Sequence, residues 1–255
     1  MDGVEINDRT EMLDMHGDIP DVYPPGHAYI IGEHEPEFSV LEHVVSCVTR
    51  RGTRYFCVCG ACASLWEEKI RERIDAGAEE IQMVSPAKIE DLLWSWEKKD
   101  DPNPPWKNRI PPGAGPAIRM VICDDPKDLA QDIAVQYLGR FQPRCYVMYD
   151  DREMAHAIKT EVDAYVAEYR ARIFDTLEKI GTFEFGYFKK DYVVSIGNND
   201  VMLGQLAHEV TCDSLEEALD LPVFNDWSLM HLWCRLQGIV GHRMKALSGL
   251  DSQLL

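Results

Sequence analysis

Three stretches between Ile81 and Ile180 follow one plan: a short apolar run, a Ser or Asp in capping position, and an amphipathic helix. "IQMVS" leads into "PAKIEDLLWSW", "AIRMVICD" into "DPKDLAQDIAVQYL", and "RCYVMYD" into "DREMAHAIKTEVDAYVAEYRARIFDTLEKI". Ser or Asp before a helix supplies an acceptor for its free N–H groups, and proline is tolerated in the first turn, where no N–H is needed. Three successive β-cap-α units restrict the chain to α/β or α+β architectures, and alternation of this kind favours α/β with the strands in one sheet. The third helix is the longest: Met154, Ile158, Val162, Tyr165, Tyr169, Ile173, Leu177 and Ile180 keep one apolar face over about seven turns. Beyond it, "TFEFGYFKKDYVVSIG" alternates and turns like a hairpin. Leu229, Trp233, Leu236, Val240, Met244 and Leu247 then form the stripe of a C-terminal docking helix.

The N-terminal third reads differently. Between Met1 and Glu42 there are eleven Asp or Glu residues and one base, Arg9, so this segment carries -10 of the net charge of -18. With "YPPGHAYIIGEHEPEF" it is expected to form an acidic arm, residues 1–42, ending in a short apolar strand. Such a surface repels nucleic acid and anionic lipid and attracts a basic partner. No apolar run is long enough to span a bilayer and the first twenty residues do not have the form of a signal peptide, so a cytoplasmic protein, or an assembly built there, is expected. The 45% apolar content suffices for a core without disulfides.

Residues 43–80 hold half of the eight cysteines, four within sixteen residues. "HVVSCVT" and "TRYFCVC" read as two strands of a hairpin turning at "TRRGTR", followed by a helix carrying Trp66, Ile70 and Ile74 at four-residue spacing. In a reducing compartment clustered cysteines mean metal, redox chemistry or burial. A CxxC pair, Cys59 and Cys62, lets two sulfurs converge on one ion, and a hairpin would bring Cys47, Cys57 and His43 toward them. The expected module is therefore a zinc-ribbon-like hairpin with His43, Cys47, Cys57, Cys59 and Cys62 as ligands. Redox use of Cys59 and Cys62 is the lesser alternative, because such dithiols follow a strand of a βαβ unit. Residues 81–255 complete an α/β domain with C-terminal helices.

Three functional readings follow. The preferred one is a non-catalytic protein-binding or assembly component, zinc-stabilised, presenting an acidic surface to a basic partner or neighbouring subunits. Trp106, within a loop of six prolines between Asp101 and Pro116, and Arg50, Arg51 and Arg54 at the hairpin turn, are its expected contact residues. The second is a metal-dependent α/β enzyme using strand-end residues, Ser85, Cys123, Asp124, Asp125, Asp150 and Asp151, with Mg²⁺ held by paired aspartates. Asp125 and Asp151 have a simpler role as helix caps. The third is a zinc-ribbon nucleic-acid binder using the three arginines. No phosphate-binding loop or dinucleotide fingerprint is present, since "GAGP" precedes a strand rather than a helix.

Overall fold

The structure, a computed structural model, describes residues 5–7, 9–17, 19, 26–49, 53–75, 81–89, 118–139, 144–197 and 200–251. It divides into two compact units: the described residues up to Val166, apart from Leu138 and Gly139, form the first, and those from Ala167 on, with Leu138 and Gly139, form the second.

The first unit contains β1 (Glu5–Asn7), β2 (Thr10–Asp14), β3 (His27–Ile31), α1 (Phe38–Thr49), β4 (Tyr55–Cys59), α2 (Ala63–Asp75), β5 (Ile81–Met83), β6 (Ile118–Cys123), α3 (Pro126–Leu138), β7 (Cys145–Tyr149) and the start of α4 (Arg152–Ile180). One sheet runs β1-β2-β7-β3-β4-β6-β5. Six strands are parallel and β1 pairs antiparallel with β2 at the edge. Central strands buried on both faces read as continuous apolar runs, as in "HAYII", "YFCVC" and "CYVMY", each wholly buried. On one face Leu41, Val44 and Val48 of α1 and Trp66 and Ile70 of α2 pack on Ile30, Phe56, Val58, Met120 and Met148. On the other, Leu129 and Ile133 of α3 and Ile158 and Val162 of α4 pack on Tyr29, Ile31, Cys57, Val121 and Val147. The unit is thus a doubly wound α/β sandwich.

The α/β expectation is met, and so are two of the capped units. Asp125 Oδ1 accepts the Lys127 amide at 2.8 Å before α3. Asp151 Oδ1 accepts those of Glu153 and Met154 at 2.8 and 3.0 Å before α4. The N-terminal third corrects the other expectations. Residues expected to form an acidic arm supply three strands, and β3 lies at the heart of the sheet between β7 and β4. The expected hairpin of residues 43–59 is instead a βαβ unit: "HVVSCVT" belongs to α1, and β4 returns parallel to β3. Its β-branched residues favour a strand locally, but Leu41, Val44, Val45 and Val48 recur at helical spacing and cover the sheet.

A polar layer lies inside the second face. Asp132 of α3 is fully buried; its carboxylate accepts the hydroxyls of Tyr29 (2.8 Å) and Tyr55 (2.7 and 2.8 Å) and the Ala87 amide (2.7 Å). Beside it, His27 stacks on Tyr55 with ring centroids 4.3 Å apart, and neither of its buried ring nitrogens has a hydrogen-bond partner among the described residues.

The second unit holds the rest of α4, the antiparallel sheet β8 (Thr182–Tyr187), β9 (Lys190–Ile196), β10 (Val201–Gln205) and β11 (His208–Cys212), then α5 (Leu215–Asp220) and α6 (Leu229–Asp251). The expected hairpin is β8–β9, turning at Phe188 and Lys189, both with positive φ (48° and 61°). The aromatic rings of Phe185, Tyr192 and Phe224 meet at centroid distances of 5.3 to 5.7 Å inside this unit. Leu229, Trp233, Leu236 and Val240 of α6 are buried. Arg170 forks onto both carboxylate oxygens of Asp220 at 2.7 and 2.9 Å. No described helix is long and apolar enough to cross a membrane.

Burial, and then the Arg119 guanidinium, hold His27 down at about 3, so it stays neutral in the folded protein while its unfolded counterpart titrates near 6.5. The unfolded state therefore binds the extra proton, and this group contributes stability above pH 6.5 that is lost as pH falls toward about 3. We expect a loss of about 1.4 kcal/mol per pH unit from this residue below pH 6.5. Urea titrations between pH 7 and 5 on wild type and His27→Phe should show a flatter pH dependence in the variant.

Candidate functional site

Open parallel sheets bind ligands beyond the carboxyl ends of their strands, where neighbouring strands send their connections to opposite faces. Here β3 leads to α1 on one face and adjacent β7 leads to α4 on the other, so the β3–β7 boundary is such a point. The side chain that fills it is Asp150, directly after β7. Its Oδ1 accepts the Glu33 amide at 3.0 Å and its Oδ2 accepts the His34 amide at 2.9 Å, with only 4% of the side chain exposed. The His34 ring lies at the rim, Nδ1 3.8 Å from Oδ1. Consecutive amides turned toward one point form an anion-binding nest. In this protein its anion is the protein's own carboxylate.

The adjoining loop is equally tight. The Gly32 amide donates to Cys59 O at 3.0 Å and the Cys62 amide to Gly32 O at 2.8 Å, tying the ends of β3 and β4 together. Gly60 adopts φ of 101°, and a Cβ there would meet Gly32 O at 2.5 Å and Glu33 Oε1 at 2.7 Å. A Cβ on Gly32 would fall 2.2 Å from Trp66 Nε1. Both glycines are needed for this close approach of backbone and ring.

Around this point the strand ends are acidic. Asp14 ends β2; Glu33, Glu35 and Glu37 lie between β3 and α1; Asp124 and Asp125 follow β6; Asp150 and Asp151 follow β7. Cys62 closes the β4 turn. Its thiol is pushed up by burial and then by Asp150, Glu35 and Glu33, although it begins a helix, where a thiol is usually acidified.

The cysteine ligand set does not converge. Cys57 and Cys59 point into the core beneath α3 and α4, whereas Cys47 and Cys62 pack on the α1/α2 side, with the sheet between them. Cys47 does meet His43, Sγ to Nε2 3.8 Å, because they are one helical turn apart on α1 rather than on one face of a strand. The contact of Cys57 is Cys123, at 3.4 Å between sulfurs. Among the described residues no group of three or more His, Cys, Asp or Glu side chains is placed to hold a metal ion. "CGAC" does occupy a strand-to-helix turn, the context of redox dithiols, but its two side chains enter opposite layers. Burial, then Cys123, pushes the Cys59 thiol up to about 12.

Of the enzyme candidates, Ser85 is exposed just after β5 and Cys123 is buried. Asp124 and Asp150 follow strands separated by β3 and β4, three interstrand spacings or about 14 Å, too far to share one ion. Arg54 is half-buried just before β4, at the opposite end of the strand from the acids. Arg50, Arg51, Trp106 and the proline-rich loop lie outside the described residues. The nest around Asp150 was not foreseen from sequence; its only trace there is a pair of aspartates at the end of an apolar run.

The fold and site define a doubly wound parallel α/β protein with a carboxylate-filled switch point. No protein-family model matches the chain, and no curated protein or solved structure is similar to it.

Replacing Gly60 by Ala combines an unfavourable φ with contact against Gly32 O. A loss of about 2 kcal/mol or more is expected, measurable as a lower urea midpoint with unchanged slope.

Proposed function

We propose that this is a non-catalytic binding or assembly protein that docks a basic partner on the acidic carboxyl-end rim of its parallel sheet. The observation that carries this reading is Asp150. The place where such folds receive an anionic ligand is already occupied by a buried carboxylate bonded to the loop amides. A phosphate entering here would have to displace that carboxylate and would then face Glu33 and Glu35. A lysine- or arginine-bearing partner meets the opposite situation, since the rim attracts it and speeds its approach. The chemistry of the other groups supports the same reading. The buried thiols of Cys57, Cys59 and Cys145 are all pushed upward, chiefly by burial, which keeps them protonated and poorly nucleophilic. Zinc forms no part of the proposal, because the four cysteines expected to bind it are divided between the two layers.

Fluorescence anisotropy with a labelled lysine- and arginine-rich peptide tests it. Binding is expected at 50 mM NaCl, weakening steeply toward 500 mM, and weakening about tenfold or more in Glu35→Lys/Glu37→Lys/Asp124→Lys at constant salt, in line with the energies of close charge pairs. ATP should not compete. Absence of peptide binding at low salt, or binding indifferent to the charge reversal, would refute the proposal.

A further inference from the structure

Among the described residues the two most exposed large apolar side chains are Phe38, 73% exposed, and Phe188, 64% exposed. They sit in opposite electrostatic settings. Phe38 opens α1 directly after Glu35 and Glu37, both exposed, at the acidic rim. Phe188 stands at the β8–β9 turn beside Lys189 and Lys190, also exposed. None of the four charged side chains has an ion-pair partner among the described residues.

Phe188 is doubly unfavourable where it stands. A two-residue hairpin loop with positive φ at both positions is normally Asn-Gly or Asp-Gly, and here Phe188 (φ 48°) and Lys189 (φ 61°) take those places. A bulky residue in the left-handed region is costly, and although the Phe188 ring meets the Tyr187 ring edge-on at 4.7 Å between centroids, most of it faces water. The exposed remainder of the ring is free to meet a partner.

We infer that the basic partner of the acidic rim is a second copy of this chain, whose Phe188-Lys189-Lys190 tip docks against Glu35, Glu37 and Phe38. This rests on the function proposed above and names its partner. The two patches match in kind, one exposed phenylalanine each, with two carboxylates against two ammonium groups. Unlike patches meet, so the contact is heterologous: each copy offers one tip and one corner. The net charge of -18 opposes association at long range. At 150 mM salt the screening length is about 8 Å, so that repulsion is largely damped while charges in direct contact still attract.

Sedimentation velocity from 1 to 200 μM in 150 mM NaCl is the test, using full-length wild type, Lys189→Glu/Lys190→Glu and Glu35→Lys/Glu37→Lys, with circular dichroism confirming that each is folded. Wild type should associate, each variant alone should associate at least tenfold more weakly, and an equimolar mixture of the two should recover association, because the reversed tip of one matches the reversed corner of the other. A wild type that stays monomeric to 200 μM, or association unchanged by reversal of the tip, overturns the inference. A monomeric wild type that still binds the basic peptide would sink this inference alone. One that does neither would sink the function proposed above as well.

Discussion

The first unit depends on the parallel pairing of β3 with β7. His27–Ile31 lies between Cys145–Tyr149 and Tyr55–Cys59, buried on both faces, so every backbone group it carries must be bonded by those neighbours. Without β3 the sheet would part into β1-β2-β7 and β4-β6-β5, and the helices on either face would lose the floor they share. The pairing joins segments more than a hundred residues apart in the chain, a closure that local structure must precede. Two polar devices hold it in place. Tyr29 within the strand is tied through its hydroxyl to Asp132, and the loop leaving the strand is held by Asp150.

These devices also explain how a strongly acidic chain tolerates so central an N-terminal strand. None of the acids of the first forty residues is on β3; among the described residues Glu5 is in β1, Glu11 and Asp14 are in β2, and those after Ile31 collect at the carboxyl end of the sheet. There the Asp150 carboxylate is compensated by two backbone amides rather than by a cation. Glu35, Glu37 and Asp124 on the rim are left exposed, and the proposed attraction for basic groups rests on their surplus. Structure and proposed role thus share one cause: the switch point is sealed from within, and recognition moves to its edge.

Much of this could be read from the residues. The β6-α3 and β7-α4 units, the Asp125 and Asp151 caps, the apolar face of α4, the β8–β9 hairpin and the α6 stripe are local patterns with local causes, and each was legible. The N-terminal third was not, for two reasons. "HVVSCVT" is rich in β-branched residues, so composition argued for a strand while the spacing of Leu41, Val44, Val45 and Val48 argued for a helix; packing on the sheet decided for the helix. Five apolar residues in "HAYII" carry no sign of which strands will flank them, and the acids around them argued for an arm. The cysteine module failed for the same reason. Cys57 and Cys59 alternate with Phe56 and Val58 along β4 and face the layer opposite α1, so Cys47 cannot join them. The Asp150 nest depends on that parallel order too, so no motif announces it.

Hydrogen exchange across residues 27–34 is the most direct test of this account. Amides of residues 28–31 are predicted to exchange only through global unfolding, with Glu33 and His34 also protected. In Asp150→Ala the Glu33 and His34 amides should lose protection while residues 28–31 keep theirs, because the carboxylate is the acceptor of the first pair and the neighbouring strands are the partners of the rest. Rapid exchange throughout residues 27–34 of the wild-type protein, as expected of a solvated acidic arm, would contradict the central strand and with it the sealed switch point.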